Sequence, residues 1–207
     1  MEPGGALLVA RQAAAALDPR RLHASGFYTK IDDAFTFFFV APFNAQIIRN
    51  IDEARSAGFE AEAAWFPVTG LQLDLAVGVL ETKILKSAWI GTGGVDIVGK
   101  RLPFNPRSTV NAGIGYSHPI RQGWQGFGRF DYEMLGSTAF DPENFALRDP
   151  IHLLNVRGGT TFGGGWELAL WVRNLTNEDY LAASINPNGI SWLGRPRQWG
   201  VDITKRF

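Results

Sequence analysis

Apolar and polar residues alternate with a period of two along most of this chain. Leu71, Leu73, Leu75, Val77 and Val79 oppose Gln72, Asp74, Ala76 and Gly78. Val110, Ala112, Ile114 and Tyr116 oppose Asn111, Gly113, Gly115 and Ser117, and Trp124, Phe130, Tyr132 and Met134 oppose Gln125, Arg129, Asp131 and Glu133. A strand turns successive side chains to opposite faces, so each run predicts a strand with one apolar and one polar face. Eight such strands are expected, near residues 22–40, 45–65, 71–79, 109–117, 124–134, 151–162, 166–173 and 199–207. In the first, Phe35, Phe37, Phe38 and Phe39 are nearly continuous and leave its faces ambiguous; in the sixth, Asn155 and Arg157 are polar.

The last strand sets Trp199, Val201, Ile203 and Phe207 against Gly200, Asp202, Thr204 and Arg206, and the chain stops on Phe207. A terminal aromatic suits the closing strand of a membrane barrel, which ends in an interfacial aromatic girdle. Connections alternate in length. Those at residues 67–70, 119–122 and 163–165 are short; those at 87–103, 135–150 and 175–196 are long. Outer-membrane barrels pair short periplasmic turns with long extracellular loops. Every short turn then falls on the periplasmic side, where Trp65, Trp124, Phe162, Trp166 and Phe207 cluster as a lower girdle. The pattern predicts an all-β fold: an antiparallel up-and-down transmembrane β-barrel fragment of about eight strands, apolar outward and polar inward.

Composition narrows the function. Twenty Lys plus Arg balance twenty Asp plus Glu, so the formal net charge is zero. A nucleic-acid partner relying on a basic surface is excluded on that ground. Cysteine is absent, which removes disulfides and thiolate metal sites. No apolar run of ~18 residues could cross a bilayer as a helix, a test to which strands are blind. At the start, Glu2 precedes the apolar stretch and Arg11 interrupts it, so no signal peptide is expected. Residues 1–20 are taken as a segment apart, with a short helix over 6–17.

Candidate chemical groups have plain explanations. Glu60 and Glu62 share a strand face, where they are solvated lumen residues rather than a catalytic acid pair. Arg129, Asp131, Glu133 and Arg157 are lumen charges of the same kind. His23, His118 and His152 show no metal-ligand spacing. Gly91, Gly93 and Gly94 lack the strand–loop–helix context of a phosphate loop. Phe35 to Phe39 are expected in a lipid-facing wall or girdle. No nucleophile has a supporting base, so no enzyme, cofactor or metal site is expected.

Four segments carry a family resemblance. NLTNEDY (Asn174 to Tyr180) resembles the Asn-Leu-Thr-Asn/Asp-x-x-Tyr element of TonB-dependent outer-membrane receptors, with Asn174, Leu175 and Tyr180 in the matching places. GRPRQWGVDITKRF resembles their Gly-x-Pro-Arg lead-in to the last strand, through Gly194, Pro196 and Arg197. Asn50 to Ile84 and Val98 to Tyr116 are similar to earlier barrel strands in the same order. Lys205, third from the end, departs from the apolar residue typical there. The likeness spans residues 22–207. It implies the C-terminal part of a 22-stranded barrel, with neither the family's plug domain nor its TonB-contacting box in this chain. That in turn implies truncation, and a location in the Gram-negative outer membrane if the chain is exported.

The resemblance further implies that Trp199, Val201, Ile203 and Phe207 form the signal read by the barrel-assembly machinery. Outer-membrane lipid is the implied surroundings, a ferric siderophore or similar scarce ligand is the cargo of the parent, and TonB acts through the plug. The chain alone is expected not to transport. Two alternatives stand beside this: a complete eight-stranded barrel, structural or enzymatic, and a soluble lipocalin-like binder.

Overall fold

The computed structural model describes residues 13–17, 20–40, 45–184 and 189–206. Residues 41–44, between the first two expected strands, and Phe207 lie outside them. The described chain is an antiparallel sheet with loops gathered at one end. Its strands are β1 (Ala13–Leu17), β2 (Arg20–Val40), β3 (Ala45–Trp65), β4 (Leu71–Lys86), β5 (Ser108–Arg121), β6 (Trp124–Leu135), β7 (Thr138–Ala139), β8 (Leu147–Arg148), β9 (Ile151–Phe162), β10 (Trp166–Arg173), β11 (Leu181–Ser184), β12 (Ser191–Leu193) and β13 (Gln198–Lys205). Nine of them form one sheet in the order β1-β2-β3-β4-β5-β6-β9-β10-β13. The small pairs β7-β8 and β11-β12 belong to the loops.

All eight expected strands are present. Their partners are nearest neighbours in sequence, as the up-and-down reading required. Two details differ. Ala13–Leu17 is extended and pairs with Arg20–Ala24, not helical; the free edge of β2 offers this alanine run backbone partners, and tertiary pairing outweighs its helix propensity. The turn after β5 is only Gln122–Gly123, because the strand continues through Pro119 with a register shift between Pro119 and Arg121. A proline that cannot donate to a ladder is accommodated at such an irregularity. Gly123 has φ 74°, a conformation that glycine adopts without strain.

The sheet has two lateral edges, at β1 and β13, and does not close on itself among the described residues. That removes the closed eight-stranded barrel as a description of this architecture. The short turns at 66–70, 122–123 and 163–165 share one end of the sheet, and the long connections share the other. Cross-strand register puts Leu75, Ala112, Tyr132 and Leu154 on one face. It puts Asp74, Gly113, Asp131 and Asn155 on the other. The first face, exposed and apolar, is the lipid-facing one; charges on the second exclude a lipocalin-like apolar interior.

At 21 residues each, β2 and β3 are about twice as long as a strand needs to cross a bilayer (~9–11 residues). Their far halves, with the end of β4, stand beyond the apolar band. Phe35, expected in a lipid-facing wall or girdle, belongs to this extension and is 72% exposed; the side chains of Phe37 to Phe39 are not among those described. The dry core lies here too. Ile51, Ala54, Ile84 and Ile97 are fully buried, with Ile31, Ala34, Ile47, Trp89 and Leu102 packed around them.

Ile97 and Leu102 come from the connection between β4 and β5. β5 pairs with β4 only from Leu71 to Val79, and the connection takes over above that point. Leu80 N–H donates to Arg107 O (2.8 Å), Ile84 N–H to Lys100 O (2.9 Å) and Gly99 N–H to Ile84 O (2.8 Å). Backbone pairing and apolar burial therefore fix the same loop. Truncating Ile84 to alanine should cost about 2–5 kcal/mol locally. Hydrogen exchange should then accelerate at the Gly99 amide and at the amide of the substituted residue itself, while β9 and β10 keep their protection; uniform acceleration across the sheet would contradict a separate loop core.

Candidate functional site

Three sets of residues have the geometry of a working part: the polar wall, the loop cluster and the hairpin clamp ahead of β13. On the polar face, a groove of about 420 Å³ is lined by Arg21, His23, Glu62, Asp74, Asn111, Arg129, Asp131, Glu133 and neighbours. Two arginines face four carboxylates there, so the groove is formally net negative. Arg129 organises it. Its Nη1 donates to Asp74 Oδ2 (3.0 Å), its Nε donates to Asp131 Oδ2 (3.1 Å), and its Nη2 lies 2.7 Å from Asp131 Oδ1.

Arg129 is on β6 and Asp74 on β4, so the guanidinium crosses β5. It does so at Gly113, where an added Cβ would sit 2.5 Å from Arg129 Nη2. A second network repeats the device. Arg157 Nη2 donates to Glu167 Oε1 (2.9 Å) and Asp202 Oδ2 (3.3 Å). Trp171 Nε1 donates to Asp202 Oδ1 (3.1 Å), its indole lying where a Cβ on Gly200 would come within 2.5 Å. Glycines on the polar face thus let large side chains lie across a neighbouring strand. These ion pairs are partly solvated, and each is worth about 0.2–1 kcal/mol; they set register more than they set stability.

At the long-loop end, two loops interlock. Arg101 N–H donates to Asn144 Oδ1 (2.9 Å), and Asn144 Nδ2 returns a bond to Arg101 O (3.0 Å). Asp141 accepts from Phe145 N–H (3.1 Å) and Ala146 N–H (2.9 Å). Burial lifts the Asp141 carboxyl above its ordinary value, against the pull of those two donors, and Glu143 adds to the lift. Arg148 then reaches a third loop, donating to Thr138 Oγ1 (3.0 Å) and Leu181 O (3.3 Å). Gly91 packs beside the Glu143 carboxylate, a loop glycine as expected.

The family-like residues form the clamp. Asn174 and Asn177 have φ 50° and 56°, left-handed positions that asparagine tolerates better than most residues. Asn174 Oδ1 accepts from Glu178 N–H (2.8 Å), and its Nδ2 donates to Glu178 O (2.9 Å) and Arg195 O (3.0 Å). Asn177 Oδ1 accepts from Arg197 N–H (3.0 Å), and Arg197 Nη1 donates to Leu175 O (3.4 Å). Gly194 N–H donates to Tyr180 O (2.7 Å), and the Tyr180 ring covers Gly194 so closely that a Cβ would fall 2.1 Å from it. Pro196 sits between Arg195 and Arg197, both tied by these bonds. The two motifs, about twenty residues apart in sequence, are one structure.

Other expected residues are dispersed. Trp199, Val201 and Ile203 pair with Val172, Leu170 and Leu168 on the apolar face. Glu60 and Glu62 share the polar face; only Glu62 reaches the groove. His23 pairs in register with Glu62, His118 stacks with Tyr116, and His152 stacks with Tyr132. What the sequence left unread was Gly113 and Gly200: alternation marks them as polar-face positions without saying which side chain lies over them.

Two substitutions test this. Gly113→Val should lower unfolding free energy by about 1–3 kcal/mol, as overpacking does. Its combination with Arg129→Ala should lose less than the sum, because removing the guanidinium empties the contested space; urea unfolding of the four forms in detergent measures the coupling. Asn174→Ala should expose the Glu178 N–H and the start of β13 to rapid exchange, with a cost of about 1–3 kcal/mol.

Solved structures give the frame for these parts. The sheet superposes on the ferric yersiniabactin uptake receptor FyuA from Yersinia pestis with a TM-score of 0.76 at 20% identity, covering 93% of this chain and 28% of that one. The copper transporter OprC gives 0.72 at 15% identity, with 94% and 30% covered. BauA, the ferric preacinetobactin receptor from Acinetobacter baumannii, gives 0.67 at 18% identity, with 89% and 27% covered. At such identities the likeness is one of fold, and the chain spans under a third of each receptor's length. The family model described as TonB dependent receptor-like, beta-barrel, matches residues 13–175. Taken with the two-faced antiparallel sheet, that match means the chain belongs to the TonB-dependent receptor β-barrel family.

Proposed function

We propose that this chain forms wall strands and extracellular loops of an outer-membrane transporter that takes up a ferric siderophore or a similarly scarce ligand. The family is one of the outer membrane. The observation that carries the proposal is the two-faced sheet: arginines and carboxylates line one side, and Leu, Val, Ile and Trp cover the other. Such a sheet can face lipid on one side and a wet lumen on the other. FyuA and BauA, which share the fold, are receptors for ferric siderophores, and OprC, a copper transporter, keeps the cargo class wider than iron.

The polar wall is suited to hold a plug, and its negative groove favours basic plug residues. The interlocked loops are suited to meet ligand at the cell exterior. TonB would act on the plug, not on these strands. Trp199, Val201 and Ile203, with Phe207, are proposed as the outward signal for barrel assembly. The clamp of Asn174, Leu175, Tyr180, Gly194, Pro196 and Arg197 is proposed to aim β13 rather than to bind ligand.

TonB is taken to act on a plug, so wall strands expressed by themselves are expected not to transport. Fitted with an export leader and expressed in a receptor-deficient strain, the chain should reach the outer membrane without restoring ferric siderophore uptake. TonB-dependent uptake by the chain alone would overturn this assignment, and so would recovery of the chain only as a soluble periplasmic protein.

A further inference from the structure

At the short-turn end of the apolar face, five residues form a continuous line across five strands. The Arg121 guanidinium lies over the Trp124 ring (4.1 Å to its centroid), and Trp124 stacks on Phe162 (4.9 Å, 24° between planes). Phe162 pairs in register with Trp166, and Trp166 with Lys205. Lys205 Nζ lies 5.2 Å from the Trp166 centroid and also donates to Gly164 O. The line therefore runs cation, three aromatic rings, cation. Lys205, which departs from the apolar residue usual at its place, is its far end.

We infer that this rim is a binding site for the phosphate of an anionic phospholipid, centred on Arg121 and Trp124. Stacking uses the flat face of a guanidinium and leaves its in-plane N–H donors free, the edge that recognises phosphate. Among the described residues Arg121 makes no ion pair. The turn beside it forms an open cleft of about 550 Å³ lined by Arg121, Gln122, Gly123, Trp124 and Gln125. That places two amides and the ring at the headgroup level.

Charge at this end favours an anion. The short turns nearest this rim, Phe66 to Gly70, Gln122–Gly123 and Gly163 to Gly165, contain no acidic residue. Nearby carboxylates point the other way: Asp74, Glu167 and Asp202 are on the polar face and engaged by Arg129 and Arg157. A cation near a lipid surface gains about fivefold in affinity from an anionic headgroup.

The inference rests on the wall assignment above, and the two can fail separately. The full chain is inserted into phosphatidylcholine vesicles holding a small fraction of phosphatidylglycerol, with acyl chains brominated near the glycerol on either lipid in turn. Brominated phosphatidylglycerol should quench tryptophan emission several-fold more than its mole fraction predicts. Arg121→Gln should remove most of the preference, Arg121→Gln with Lys205→Gln should abolish it, and Arg121→Lys, which keeps the charge but loses the stacked planar edge, should retain only part of it. Equal quenching by the two lipids, or a preference unchanged in the double variant, overturns the inference and leaves the wall assignment intact. A chain that does not insert overturns both.

Discussion

The structure depends on one constraint: backbone N–H and C=O groups in hydrocarbon must be satisfied within the protein, since no water is there to do it. Between β2 and β13 this is met by continuous antiparallel ladders, strand after strand. The same constraint explains why loops stay out of the apolar band and gather at one end. It also marks the exposed sides of β1 and β13 as places where a bilayer demands a partner strand. Each unsatisfied group there costs several kcal/mol, more than any ion pair on the wall returns.

Once the ladders are fixed, side chains do two unlike jobs. The outward ones need only be apolar, and their high exposure is the normal state of a surface whose solvent is lipid. The inward ones carry geometry. Arg129 and Trp171 each lie across a glycine of the next strand to reach a carboxylate. Such contacts add little energy in a wet lumen, yet a slip of one residue would turn the glycine away and place a side chain in the path. The register is thus specified by small contacts, while stability comes from the backbone.

The dry core is displaced from where a soluble protein would keep it. Fully buried isoleucines sit under the connection between β4 and β5, beyond the lipid band, where water is available and the hydrophobic effect can act. Asn144, Asp141 and Arg148 then join that loop to its neighbours by hydrogen bonds to backbone groups. The long-loop end is therefore a packed unit rather than a set of independent loops.

Eight of the nine strands of the sheet, their order and the identity of the two faces were legible in the sequence, because a period of two survives wherever one side meets lipid and the other water. Asn174 to Tyr180 and Gly194 to Arg197 stood out as segments, but nothing in their spelling says that they hold each other. That follows from the left-handed turns at Asn174 and Asn177, which fold the chain back on itself. The alanine run at 13–17 misled, since helix propensity is local and the edge of β2 is not. The polar-face glycines, the loop core and the cation–aromatic line at the short-turn rim were decided only by the tertiary structure. Each joins residues from strands distant in sequence, and the register that brings them together belongs to the sheet as a whole rather than to any single strand.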